Sequence, residues 1–132
     1  MNLPGSFTFG NFIWHDLAAA DSAAALDFYH RVFGWTAITE SANGGQFIRL
    51  QCGGRDVGSL YNMSQRERDH GVPSHWTPYI CVKDVEVTTH RVESPGGTVL
   101  VGPFEVDGIA RIALVADSLG AVIGLWESLS YE

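Results

Sequence analysis

The stretch Asp21-Ser22-Ala23-Ala24-Ala25-Leu26-Asp27-Phe28-Tyr29-His30-Arg31-Val32-Phe33-Gly34-Trp35 decides the fold. Asp21 and Ser22 offer side-chain oxygens to the free backbone N–H groups of a helix start. Ala23 through Phe33 are rich in helix formers, and Ala25, Leu26, Tyr29, Val32 and Phe33 fall on one apolar stripe. Gly34 ends the helix as a left-handed residue would. Upstream, Phe7 to Leu17 reads as an apolar, aromatic-rich strand. Downstream come three more strand candidates, Trp35 to Ser41, Gln46 to Cys52 and Asp56 to Tyr61. Asn43-Gly44-Gly45 and Gly53-Gly54 supply the turns between them. The order is β-α-β-β-β.

The second half repeats it. Trp76 to Val82 is a strand candidate, Asp84 caps a helix through about Ser94, and Pro95-Gly96-Gly97 stops it. Thr98 to Val106 is interrupted by Gly102-Pro103, as an edge or bent strand would be. Ile109 to Ala116 and Ala121 to Glu127 make a hairpin around Asp117-Ser118-Leu119-Gly120. The cap-to-stop span Asp21 to Gly34 recurs as Asp84 to Gly97 at an offset of 63 residues. Between the halves, 62–74 carries the charge run Gln65 to His70, a solvated linker or short exposed helical turn. These features predict an α+β chain, one domain over 1–132. Module one covers about 7–61 and module two about 75–128. Neither module can bury both its helix and its sheet face alone, so the pair is expected to form a curved, U-shaped, mostly antiparallel sheet with helices outside and a ligand on the concave side.

Composition sets limits on function. Net charge is −7, with 45% hydrophobic and 17% charged residues. An acidic balance argues against a nucleic-acid or anionic-membrane partner and favours neutral or cationic ligands. No stretch reaches the roughly 20 apolar residues of a membrane span, and the start of the chain lacks the basic and apolar regions of a secretory leader. Cys52 and Cys81 each lie in an apolar strand-like run, which reads as reduced thiols in a cytoplasmic protein.

Asp21-x6-Phe28-Tyr29-x4-Gly34-Trp35, together with Pro95-Gly96-Gly97, Gly102-Pro103 and Asp117-x-x-Gly120, resembles the two modules of the vicinal oxygen chelate superfamily. That superfamily includes glyoxalases, extradiol dioxygenases and bleomycin-resistance proteins. The resemblance implies a glyoxalase-like fold, a small-molecule ligand and a homodimer, but the fold does not name a reaction. It also implies metal ligands (His, Glu or Gln) on the first and fourth strands of each module. Counting from the motifs puts Trp14, Gly58, Pro78 and Gly124 at those four places. None offers a side-chain donor, so no metal and no other cofactor is expected. A register slip that brought in His15, His75 or Glu127 would turn core faces outward.

The same count puts Trp14, Trp126 and Trp76 on or near the concave face, as an aromatic cradle for a ring or a cation. As ordinary strand aromatics they would instead be core. Asp16 interrupts an apolar strand two residues beyond Trp14. In a cleft it would hold a cation or act as a general base; at a strand end it would simply be solvated. Arg49 and Arg111 also interrupt apolar strands, as carboxylate or phosphate clamps or as outer-face residues. No phosphate-binding loop or nucleophile-elbow motif is present. The expectation is a metal-free binder of a ring-containing or cationic molecule. The alternative is an enzyme of the same superfamily, metal-dependent or a metal-free lyase or isomerase, with Asp16 as candidate catalytic residue.

Overall fold

A computed structural model of the chain describes residues 9–42, 45–106 and 108–129. It divides into two compact units, one of His15–Thr77 and one of residues 9–14 with 78–129.

The first unit carries β1 (Phe12–Ala19, from His15 onward), α1 (Ser22–Phe33), β2 (Thr36–Ala42), β3 (Gly45–Cys52), β4 (Arg55–Asn62) and α2 (Gln65–Asp69). Its strand order is β2-β3-β4-β1. β1 runs parallel to β4, while β3 is antiparallel to both its neighbours. The second unit carries most of β5 (His75–Cys81), then α3 (Val85–His90), β6 (Thr98–Val106), β7 (Ala110–Ala116) and β8 (Val122–Ser128). Its order is β5-β8-β7-β6, again with one parallel pair, β5 with β8, and antiparallel neighbours after it. The class is α+β, and the predicted repeat is present element for element.

Local chemistry sets the boundaries. The Asp21 carboxylate accepts from the Ala24 N–H at 3.1 Å, and Gly34 closes α1 at φ 75°, donating to the His30 carbonyl at 2.9 Å. A left-handed residue there favours glycine. α2 fills part of the polar linker and is held by a capping box between Ser64 and Glu67. The main differences from the sequence reading are in β1 and α3. β1 starts at Phe12 because Gly10, at φ 95°, breaks the extended run; Phe7 and the Asn43-Gly44 half of a predicted turn lie outside the described residues. α3 stops at His90 instead of near Ser94. Its β-branched run weakens it, and the Thr88 and Thr89 hydroxyls bond back to the Asp84 and Glu86 carbonyls at 2.8 Å.

Strand alternation gives each sheet two chemical faces. In the first unit Leu17, Ala19, Leu50 and Leu60 lie buried under Ala25, Leu26 and Tyr29 of α1. In the second, Val82, Ala113, Val115 and Leu125 pack with Val85 of α3. Each fully buried leucine or valine contributes about 1.5–3 kcal/mol. The opposite faces differ between the units. Among the described residues no helix is long and apolar enough to cross a membrane, and both cysteines are free thiols.

Candidate functional site

On the first unit's face away from α1, strand register lines up Asp16 (β1), Ser59 (β4), Arg49 (β3) and Ile38 (β2) in one transverse row. Their neighbours along the strands, Leu17, Leu50 and Leu60, point to the helix side. The row is therefore a direct product of period-two alternation.

Asp16 is its centre. The Ser59 hydroxyl donates to Asp16 Oδ1 at 2.9 Å. Among the described residues no lysine or arginine ion-pairs with Asp16. Burial pushes its carboxyl from 3.8 up to about 6; the Ser59 hydrogen bond and an electrostatic effect of His75 hold it back from rising further. The group is nonetheless not sealed off, for the residue keeps partial exposure. Tyr61, two residues beyond Ser59, is pushed up to about 12 by burial and by the charges of Asp16 and Glu67. Its hydroxyl stays protonated at neutral pH. His75 Nδ1 lies 2.9 Å from the Pro73 carbonyl oxygen. A carbonyl only accepts, so Nδ1 carries the proton and Nε2 is left as acceptor in the neutral ring. The arrangement can hold a cation, or take up a proton near neutral pH.

Arg49 shares this face, but its guanidinium is engaged. Nη1 reaches both Asp56 oxygens at 3.0 and 3.1 Å, and Nη2 reaches Glu40 at 2.8 Å. Gln51 adds a hydrogen bond to Asp56 at 2.9 Å. The Asp56 side chain is wholly buried. Burial alone would lower the Arg49 pKa, and the two carboxylates outweigh it, so the charge is kept.

In the second unit the face away from α3 is aromatic. Trp14 and Trp126 are buried with ring centroids 6.0 Å apart, and Tyr79 meets Trp126 edge-on at 5.9 Å. The Trp126 indole N–H is buried and meets no acceptor among the described residues. Arg111 is not part of this face. It alternates with Ala113 and Val115, so it sits on the helix side, where it pairs with Glu86 of α3 at 2.6 Å. The Glu127 carboxylate likewise accepts the Val85 N–H at the start of α3, at 2.9 Å. Trp76 was expected on or near the concave face. Within the first unit it meets α1 edge-on instead, donating its indole N–H to the Tyr29 hydroxyl at 3.0 Å.

The four positions counted from the motifs hold no metal-ligating side chain. Trp14 and Pro78 present no donor. The count from the motifs misplaced Gly58 and Pro78: register sets Gly58 opposite Leu50, and Pro78 is in phase with Ile80, both on the helix side. Trp14 and Gly124 lie on the face turned from the helices, where a Cβ at Gly124 would run into the Tyr79 ring. Among the described residues no three His, Cys, Asp or Glu side chains cluster as a metal site would require. His15 is exposed next to the buried Trp14, on the other face of β1.

Ser59 and Tyr61 were not singled out from the sequence, and His75 was named only as a ligand that a register slip would bring in. The alternation Ser59-x-Tyr61 was visible. The parallel pairing that sets β4 beside Asp16 was not.

Comparison with known proteins agrees with this architecture. Residues 11–125 match the family model described as Glyoxalase/Bleomycin resistance protein/Dioxygenase superfamily. The chain is 35% identical over 124 residues to the anthracycline biosynthesis proteins DauV of Streptomyces sp. (strain C5) and DnrV of Streptomyces peucetius, covering 86% of this chain and 45% of each relative. It thus spans about half the length of the curated relatives it matches. Methylmalonyl-CoA epimerase from Mycobacterium tuberculosis shares the fold at TM-score 0.65 and 17% identity, over 93% of this chain and 91% of that one. On the family match across most of its length, the chain belongs to the glyoxalase/bleomycin resistance protein/dioxygenase superfamily.

Proposed function

We propose that this chain binds a small, ring-containing, cationic molecule without a metal, and that Asp16 is the anchor for the ligand's charge. The observation that carries the reading is the state of Asp16: a largely buried carboxylate whose hydrogen-bond donor is a neutral hydroxyl. Such a group is destabilised when ionised, and a cationic ligand would supply the missing counter-charge. Trp14 and Gly124, the two counted positions on faces turned from the helices, offer no metal ligand, which supports a metal-free mode. The ring-containing class is supported by the name of the relatives, anthracycline biosynthesis proteins. Two free thiols fit a cytoplasmic setting.

The test is a titration of metal-stripped protein, in the presence of a chelator, with an anthracycline carrying a protonated amine. Tryptophan fluorescence reports binding, and mass analysis reports the fate of the compound. Stoichiometric binding, weakened in Asp16→Asn, with the compound recovered unchanged, supports the reading. Binding that requires added zinc, nickel, manganese or iron(II) sinks it.

One observation favours a second reading, metal-free proton transfer. A carboxyl of pKa about 6, with His75 near enough to act on it, is poised as a general base at neutral pH. Turnover of the bound compound, lost in Asp16→Asn, would select this reading over simple binding.

A further inference from the structure

In the first unit α1 packs on the sheet through Ala25, Leu26 and Tyr29. Beside that contact lies a cavity of about 260 Å³, whose walls include Leu26, Tyr29, His30, Trp35, Ala37 and Leu50. Leu50 belongs to the helix-facing core, and register sets Ala37 directly opposite it. The cavity is therefore on the other side of the sheet from Asp16, Ser59 and Arg49. Two of its walls are aromatic and held in place. The Tyr29 and Trp35 rings stack with centroids 5.2 Å apart and planes 15° from parallel. Trp76 donates to the Tyr29 hydroxyl at 3.0 Å. The turn that carries Trp35 is closed by two backbone bonds, Gly34 N–H to the His30 carbonyl at 2.9 Å and Trp35 N–H to the Tyr29 carbonyl at 3.4 Å. Leu26, Ala37 and Leu50 make the floor aliphatic, and the polar side chains at the wall are Thr36 and His30. His30 Nδ1 lies 3.0 Å from the Trp35 carbonyl oxygen, which can only accept, so Nδ1 carries the proton. In the neutral ring Nε2 is then an acceptor of fixed orientation.

We propose that this cavity is a ligand site separate from the Asp16 face, and that it takes a single neutral aromatic ring bearing a hydroxyl or N–H donor, as a phenol does. The size fits one ring. An apolar cavity of roughly 150 Å³ already accepts benzene, and 260 Å³ leaves room for a substituent. The stacked Tyr29 and Trp35 rings favour an aromatic occupant over an aliphatic one. No carboxylate, lysine or arginine lines the cavity, so a charged ring would be desolvated without a partner. His30 then selects among neutral rings, because a ring with a donor satisfies Nε2 and a purely apolar ring does not.

Titration of the full chain with phenol, followed by the backbone amide NMR shift of Leu50, tests the proposal. Toluene, which carries a methyl group in place of the hydroxyl, is the comparison ligand. Phenol is expected to saturate one site per chain. Ala37 is exposed on the edge strand β2, and Ala37→Phe sets a ring into the cavity opposite Leu50. It should abolish phenol binding with an unchanged circular dichroism spectrum. His30→Phe keeps the wall aromatic and removes the acceptor, so phenol affinity should fall about tenfold relative to that of toluene. Asp16→Asn, on the opposite face, should leave phenol affinity unchanged, which separates this site from the one proposed at Asp16. Shifts that do not saturate would overturn the proposal. So would phenol binding that survives Ala37→Phe or is weakened by Asp16→Asn, or a phenol-to-toluene ratio indifferent to His30→Phe.

Discussion

The two units share one plan, β-α-β-β-β with one parallel and two antiparallel pairings, yet the sheet faces turned from their helices are chemically opposite. In the first unit that face carries Asp16, Ser59 and Arg49 in a row. In the second it carries Tyr79, Ile112 and Trp126, with Trp126 packed against Trp14 and Gly124 lying under the Tyr79 ring. One scaffold repeated has thus separated two jobs, charge handling and ring packing. The difference comes entirely from which residues occupy alternate positions on equivalent strands, while the helix-facing cores remain aliphatic in both. Within the polar face the two charged centres also differ. Arg49 is matched by two carboxylates, whereas Asp16 has a hydroxyl and a nearby histidine.

The largest expected effect tests that internal contrast. Arg49→Met leaves the buried Asp56 carboxylate without its counter-charge and should destabilise the chain by about 3–5 kcal/mol in denaturant unfolding. A loss under about 1 kcal/mol, the range of exposed pairs, would mean that the Arg49 pair is no more structural than the surface pair Asp27–Arg31.

Asp16 should behave in the opposite way. Its folded pKa is raised from 3.8 to about 6, so the native state binds more protons than the unfolded chain between those values. Stability should therefore fall as pH rises through that window, by about 3 kcal/mol in all. Asp16→Asn keeps an acceptor for Ser59 and removes the charge. It should match the parent chain below about pH 4 and exceed it by up to about 3 kcal/mol above about pH 6. Equal stability of the two at pH 8 would show that Asp16 is solvated and not the strained member of its row.

Smaller effects are expected at two glycines in tight places, Gly124 under the Tyr79 ring and Gly58 against β1. Gly124→Ala forces the Tyr79 ring aside and Gly58→Ala forces the β1 backbone, each at about 1–3 kcal/mol, with Gly58 the costlier because the opposing atom is a main-chain oxygen. Thermal melts check both. Neutral substitutions would mean that the space is open in one unit or in both.

Much of this was legible in the sequence. The cap at Asp21, the stop at Gly34 and the repeat at offset 63 located α1 and α3, and the apolar runs between turn signals located the eight strands. Alternation alone put Trp14 and Trp126 on one face of their strands and His15 and Glu127 on the other. Arg111 shows where the reading fell short. The same alternation puts it with Ala113 and Val115 on the helix side, but nothing in a lone apolar run says which parity the helix covers. Trp76 was misplaced because its partner Tyr29 lies 47 residues away on α1, a contact that only the fold creates. Ser59 and Tyr61 escaped notice because a small hydroxyl residue in a strand carries no signal until its register neighbour is known to be a buried carboxylate.

The central claim is that Asp16 anchors a cationic ligand without a metal. Its most direct test is the affinity of metal-stripped protein for an aminated anthracycline, measured by calorimetry from pH 5 to pH 8. A carboxyl of pKa about 6 must give up its proton to bind a cation, so affinity should rise about tenfold from pH 5 to pH 7 and then level off, with Asp16→Asn weak and flat throughout. Affinity independent of pH, or equal in the parent and Asp16→Asn, would contradict it.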